Sequence, residues 1–340
     1  MHYKDLLGLG FDPNGGRLLR ESLKILASTW ILTSVVGYSG SFEHSNMTGK
    51  LSLMNGASGL QLLAKNPNSD PDHPSVEPIS FQPNSVGSVG YSLSYKSFGI
   101  GYEKKGGTDE QETIKKGYSE NVRYSFFYAH HSYAGQAYYY KSKGFYTSTP
   151  TIIEPTWTSA QPYPQYASMK VENFGTSWIY AHDEKDFSAE ALISQSERFK
   201  GGFSDSLLLG FNLGKTIFHD LPQLTVHFKD GSETTLNLSQ VESVALSPQI
   251  GYGVFLGMFD FYATVSVLAG PSYEASRING IAKYSIARGT SSKLVAGFGY
   301  HSKRLFLTYS LMGDFLTKRD GDLQIEPNRI YNEVALGFHL

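Results

Sequence analysis

From about Gly56 onward, hydrophobic positions in this chain recur every second residue, the period of a strand rather than a helix. Val122, Tyr124, Phe126 and Tyr128 share one face, and Arg123 and Ser125 the other. Leu207, Leu209, Phe211 and Leu213 alternate with Ser206, Gly210, Asn212 and Gly214. Ala296, Phe298 and Tyr300 oppose Gly297 and Gly299. The pattern predicts strands at 57–65, 86–95, 98–105, 119–131, 133–145, 168–182, 187–199, 204–217, 244–256, 259–270, 277–288, 292–301, 304–314 and 329–340.

The second face separates two architectures. A soluble sandwich turns Lys, Glu and Arg outward. Here that face is Gly, Ser, Thr and Asn with an occasional charge, which suits a narrow, wet barrel interior while the apolar face meets lipid. The expected fold is therefore all-β, an antiparallel transmembrane β-barrel of 12–14 strands with long extracellular loops. Tight connections at Lys96-Ser97, His131-Ser132 and His301-Ser302-Lys303 read as periplasmic hairpins. Connections 66–84, 105–118, 146–167 and 315–328 read as external loops. The fourteen-strand count puts 218–243 on the periplasmic side and Gly257-Met258 outside, although 218–243 carries its own hairpin signal around Lys229-Asp230-Gly231. An error of one strand pair would give twelve.

Composition agrees. Charged residues are 18% of the chain, while Tyr (23), Phe (21) and Gly (35) are abundant, as aromatic girdles and close-packed strands require. A net charge of −2 argues against a nucleic-acid partner. With no cysteine, thiolate metal sites, disulfides and thiol nucleophiles are excluded. Ahead of the barrel, Arg17, Arg20 and Lys24 precede the apolar run Ile25 to Val36, too short to span as a helix and shaped like a signal-peptide core. An amphipathic helix of a soluble protein is the alternative. The domain reading is an export segment at 1–40, an N-terminal periplasmic stretch at 41–56, and a barrel over 57–340.

The stretches Ile79 to Gly87, Gly90 to Tyr102, Tyr138 to Tyr146 and Ser194 to Arg198 resemble an uncharacterised bacterial family of outer-membrane barrels, a domain of unknown function, over roughly residues 58–340. The resemblance implies fold and bacterial outer-membrane localisation and supplies no catalytic residues.

Candidate chemistry is thin. Tyr128-Ala129-His130-His131-Ser132 brings two histidines and a serine together, as a lipid-modifying hydrolase would need. Adjacent strand residues point to opposite faces, however, and His131-Ser132 sits in a tight turn, so polar turn residues are the preferred reading. His44-Ser45-Asn46 is weaker still, and Asp183-Glu184-Lys185-Asp186 lacks a calcium-loop pattern. No metal and no cofactor is expected. By parity, Arg123, Glu190, Lys283 and Glu333 point into the lumen. They either line a conduction path or pair across a filled interior, and the second is favoured because lumens of this size are often packed by side chains. Trp157, Tyr163 and Tyr166 lie in a Pro- and aromatic-rich external loop and are the best contacts for a sugar or a partner surface. A stiff loop folded over the barrel mouth is the plainer reading of the same residues.

Val334, Leu336, Phe338 and Leu340 share one face of the last predicted strand, with Glu333 and His339 turned to the lumen. An apolar edge is an aggregation hazard unless the strand closes a barrel. The strand resembles the terminal recognition strand of outer-membrane barrels, which implies the barrel-assembly machinery as a partner beside outer-membrane lipid. Such strands typically end in an aromatic, whereas here Phe338 stands two residues before Leu340. The function expected is a non-enzymatic barrel, a narrow pore or a plugged one, contacting a small solute or an extracellular partner. A lipid-modifying hydrolase and a soluble ligand-binding β-barrel are the alternatives.

Overall fold

The computed structural model describes residues 42–339, apart from 44–46, 59, 67, 70–75, 85–86, 106–108, 184–186, 196, 279–284 and 319–328. The export segment 1–40, His44-Ser45-Asn46, Lys283 and Leu340 lie outside the described residues. In chain order the strands begin with β1 (Phe42–Glu43), β2 (Met47–Ser58), β3 (Leu60–Lys65), β4 (Val76–Gln82), β5 (Ser88–Tyr95) and β6 (Phe98–Lys105). They continue with β7 (Glu120–His130), β8 (Tyr133–Thr147), β9 (Gln165–Ala181), β10 (Arg198–Phe199), β11 (Gly202–His219) and β12 (Gln223–His227). The last are β13 (Glu233–Asn237), β14 (Gln240–Met258), β15 (Phe261–Ile278), β16 (Ser285–His301), β17 (Leu305–Lys318) and β18 (Arg329–His339). Among the described residues three short helices join them: α1 (Glu110–Lys116), α2 (Pro150–Ile153) and α3 (Ala189–Ser194).

Twelve strands form a closed antiparallel barrel in the order β2, β5, β6, β7, β8, β9, β11, β14, β15, β16, β17, β18 and back to β2. The last strand closes it: β18 bonds to β17 on one side and to β2 on the other, so that Leu336 faces Leu307 and Leu51. Burial is inverted relative to a water-soluble protein. Leu53, Ile100 and Phe298 on the outer face are about 60% exposed, at 60%, 62% and 59%, whereas Ser52, Ser266 and Ser310 on the inner face are buried. The outer rings stack across strands, as Phe98 does on Tyr128 at 5.2 Å and Phe298 on Tyr309 at 5.1 Å.

Four expectations are corrected. Residues 41–56 are not all an appendage, because Met47–Ser58 is the first barrel strand. Predicted strand 57–65 lies only partly in it, and Leu60–Lys65 forms a hairpin with β4 outside the ring. Predicted strand 187–199 is mostly helix α3 and coil. Predicted strands 259–270, 277–288 and 292–301 are two longer strands, β15 and β16. Removing one strand inverts the sides downstream. The connection around 218–243, whose hairpin is β12–β13, therefore lies at the long-loop end, and the Gly257-Met258 turn lies at the other.

The ring thus has two unlike ends. One carries the tight turns at 96–97, 131–132, 259–260 and 302–304, with the start of β2 and the end of β18. At the other, the β3–β4 hairpin, α2 and the β12–β13 hairpin pack on the strand ends around their own apolar core of Leu62, Ile79, Phe81, Met169, Leu224 and Val226. This loop cap gives the described parts of the connections after β2, β8 and β11 a defined structure.

Candidate functional site

Residues 182–201 connect β9 to β11 at the tight-turn end, where the other described connections are two or three residues long. Rather than hanging outside, the segment turns into the ring. Phe187, Leu192 and Phe199 are completely or almost completely buried. They pack on inward-facing side chains from eight strands: Ala129, Ala134, Ile179, Leu208, Phe255, Tyr262, Val295 and Met312. Phe187 meets Phe255 edge-on at 5.1 Å, and Phe199 meets the same ring at 5.8 Å. Glycine makes room for this. A Cβ on Gly257 would come within 2.4 Å of the Phe199 ring, and one on Gly297 within 2.2 Å of Gln195 Nε2.

Local sequence explains why the segment is helical. Ser188 caps α3, its hydroxyl accepting from the Ala191 amide at 3.0 Å and donating to Glu197. Ala189, Glu190, Ala191 and Leu192 are better helix than strand formers. Gln195 takes the left-handed conformation at the C-cap, φ 51°. Three ties hold the segment in place. The Ala189 amide donates to the His131 carbonyl at 2.8 Å, Arg198 pairs with Asp260 at 2.6 Å, and β10 pairs with β1.

Beneath this plug lies an aromatic and imidazole layer. His301 is fully buried between Tyr262 at 5.1 Å and Phe306 at 5.2 Å, with the His339 ring 6.1 Å away.

On the other side of the plug is a chamber of about 300 Å³ that carries charged and polar groups among its lining, with Ile193 and Ser194 of α3 in its wall. Lys50, Arg123 and Lys293 supply its bases, and Glu103, Glu274, Asp314 and Glu333 its acids, among the described residues. Lys50 Nζ lies 2.9 Å from Glu333. Lys293 donates to Ser177 at 2.8 Å and lies 3.7 Å from Asp314. Asn212 donates to Gln249, which donates to Ser291, at 3.0 and 2.8 Å. Arg123 lies over the Tyr138 ring, 4.9 Å from its centre.

Among the residues singled out from sequence, Arg123 on β7 and Glu333 on β18 both line this chamber, with β2, β5 and β6 between their strands. Glu190 does not share their strand geometry, because it sits in the first turn of α3 rather than on a strand. His131 and Ser132 form the β7–β8 turn, and the Ser132 carbonyl accepts from Ala181 at 2.8 Å. The loop aromatics are used internally. Trp157 Nε1 donates to the Pro162 carbonyl at 2.9 Å, its ring lies 5.1 Å from Tyr163, and Tyr166 packs edge-on against Phe81 in the cap core. Val334, Leu336 and Phe338 stand half-exposed on the outer face. Sequence reading missed Lys50, Glu103, Glu274, Lys293 and Asp314, although the parity that placed Arg123 applies to them as well. It missed the plug because Phe187, Ala189, Ala191 and Ile193 also alternate, and the Ser188 cap was the signal that could have found it.

A family model described as a domain of unknown function (DUF4421) matches residues 43–339. No curated protein matches the chain. Among solved structures, the outer membrane protease OmpT from Escherichia coli is similar at 8% identity, covering 88% of this chain and 98% of that one, with a TM-score of 0.41. The toluene transporter TbuX of Ralstonia pickettii is similar at 9% identity, covering 88% and 90%, with a TM-score of 0.33. The β domain of the Bordetella autotransporter BrkA is similar at 10% identity, covering 86% and 99%, with a TM-score of 0.26.

Proposed function

The chain belongs to the DUF4421 family, a domain of unknown function, and from its geometry we propose that it is a non-enzymatic barrel of the bacterial outer membrane, held shut by its own luminal plug. The observation that carries the reading is the burial of Phe187, Leu192 and Phe199 against side chains from eight strands. An apolar cluster of that extent excludes water and ions from the section of lumen it fills. The membrane part of the reading is supported by the outward apolar band around a buried polar lining, which leaves Leu53, Ile100 and Phe298 without protein cover. Outer-membrane lipid and the barrel-assembly machinery are the partners this reading entails. The loop cap faces outward, and the chamber behind it holds a small solute rather than conducting one. The hydrolase alternative is disfavoured by the position of Ser132 in a turn whose carbonyl is tied to β9.

Planar-bilayer recording tests the proposal. The intact protein is expected to stay closed, and replacing 187–199 by a short Gly-Ser linker is expected to produce steady conductance. Steady conductance by the intact protein would overturn the plug. Lipid hydrolysis lost in Ser132→Ala would overturn the non-enzymatic reading.

A further inference from the structure

The chamber contains one opposed pair of charges that do not satisfy each other. Arg123 and Glu103 are direct partners across the β6–β7 ladder, so their Cβ atoms leave the same inner face side by side. Opposite charges so placed ordinarily close into an ion pair. Here each turns elsewhere. Glu103 accepts from the Ser88 hydroxyl, and the Arg123 guanidinium lies over the Tyr138 ring with its buried Nε lacking a hydrogen-bond partner. The remaining bases are already engaged, Lys50 with Glu333 and Lys293 with Asp314. Arg123 acts on Glu333 only at a distance, with no ion pair between them among the described residues, and with its buried Nε unpartnered it is the cation of the chamber with donor capacity to spare.

We propose that the chamber binds a small zwitterion, its carboxylate on Arg123 and its ammonium on Glu103. The inference rests on the closed-barrel reading, because the plug forms part of the chamber's wall. The class follows from charge. With three bases and four acids in the lining, a lone anion enters against the net charge. A lone cation at Glu103 sits beside the Arg123 guanidinium and is repelled. A neutral solute carrying both charges meets each group with its opposite, and charge-assisted hydrogen bonds supply the specificity. Arginine suits the carboxylate end because its planar fork engages both oxygens, and the Tyr138 face holds that fork in one orientation. A chamber of about 300 Å³ is at the small end for ligand sites, which fits a free amino acid or a dipeptide.

Calorimetric titration of the detergent-solubilised full chain tests this with L-alanine, 4-aminobutyrate and glycylglycine against acetate and ethylammonium. At least one zwitterion is expected to bind about tenfold more tightly than either single charge. Arg123→Gln and Glu103→Gln are each expected to weaken it by about tenfold, and Arg123→Lys less so. Heat-modifiable migration certifies that each variant is folded, and where one is not, the comparison of probes on the intact chain decides. Absence of binding by all three zwitterions, equal binding of acetate or ethylammonium, or unchanged binding in both folded Gln variants would overturn the proposal. Bilayer recording on the same preparation keeps the two readings apart. A closed barrel that binds no zwitterion removes only this inference, and an open one removes the plug.

Discussion

Lys50 and Glu333 stand on the two strands that close the barrel, β2 and β18, with Nζ and Oε1 2.9 Å apart on the luminal side. Their side chains are 18% and 13% exposed, so the pair is largely desolvated. Removing one partner of such a pair costs more than removing both, because the survivor keeps its desolvation penalty. Lys50→Met is expected to destabilise the barrel by about 2–3 kcal/mol, below the ~3–5 of fully buried pairs because the Arg123 charge still acts on Glu333. Lys50→Met with Glu333→Leu is expected to recover most of that loss. Urea unfolding of the four proteins in a double-mutant cycle measures the coupling, and additive losses would mean that the pair contributes nothing to closure.

The plug depends on a missing side chain. Gly257→Val places methyl groups where the Phe199 ring lies, within 2.4 Å of the Cβ position. Strand β14 is paired along most of its length with β11 and β15, whereas Phe199 lies in the two-residue strand β10, so the plug yields. The expected outcome is a barrel that still migrates as folded, loses about 1–3 kcal/mol, and flickers open in single-channel records. A silent channel with unchanged stability would show that Phe199 has room to spare.

Most of the ring was legible because strand parity is a local property. Leu207, Leu209, Phe211 and Leu213 announce a lipid-facing stripe without reference to any neighbour. The closing role of β18 was legible for the same reason. The plug was not, because period two fits both a strand and the Phe187 to Ile193 segment, and only the cap at Ser188 distinguishes them. The cross-strand neighbours Arg123 and Glu103 were legible in half. Parity sends both inward, but register sets them opposite one another, and register depends on the whole ring.

The β12–β13 turn is expected to respond to acid. Hydrogen bonds from the Ser232 hydroxyl, the Asn66 amide and the Ser232 backbone pull the Asp230 carboxyl down from 3.8 to about 2. A depressed carboxylate stabilises the fold above its unfolded pKa, and that contribution is lost as pH falls through its folded pKa. The contact between Asp230 and Asn66, 2.8 Å long, is therefore fully present above about pH 4 and lost toward pH 2. The protection of the Ser232 amide, its exchange rate measured against the intrinsic rate at each pH, should fall from pH 5 to pH 2. Asp230→Asn should remove the acid dependence, and an identical profile in that variant would assign it to another group.

The outer face makes the membrane reading quantitative. Leu336 lies between Leu51 and Leu307 in register, and it is 43% exposed with apolar neighbours on both strands. In water an arginine there would cost little, since the position is already open and a guanidinium is well solvated. In a bilayer the same substitution puts a charge into hydrocarbon, at about 2–4 kcal/mol near the midplane and much less near the interfaces. Ala335, one residue away, is buried on the luminal face and supplies the contrast. Ala335→Ser adds a hydroxyl to a polar lining and is expected to change stability by less than about 1 kcal/mol. Unfolding in phosphatidylcholine vesicles should therefore leave Leu336→Arg less stable than Ala335→Ser, by less than the midplane figure because Leu336 pairs with Leu307, only two residues from the start of β17. In detergent micelles, whose surface lets a long side chain reach water, the gap should shrink. If Leu336→Arg is tolerated equally in vesicles and micelles, the apolar band meets something other than lipid.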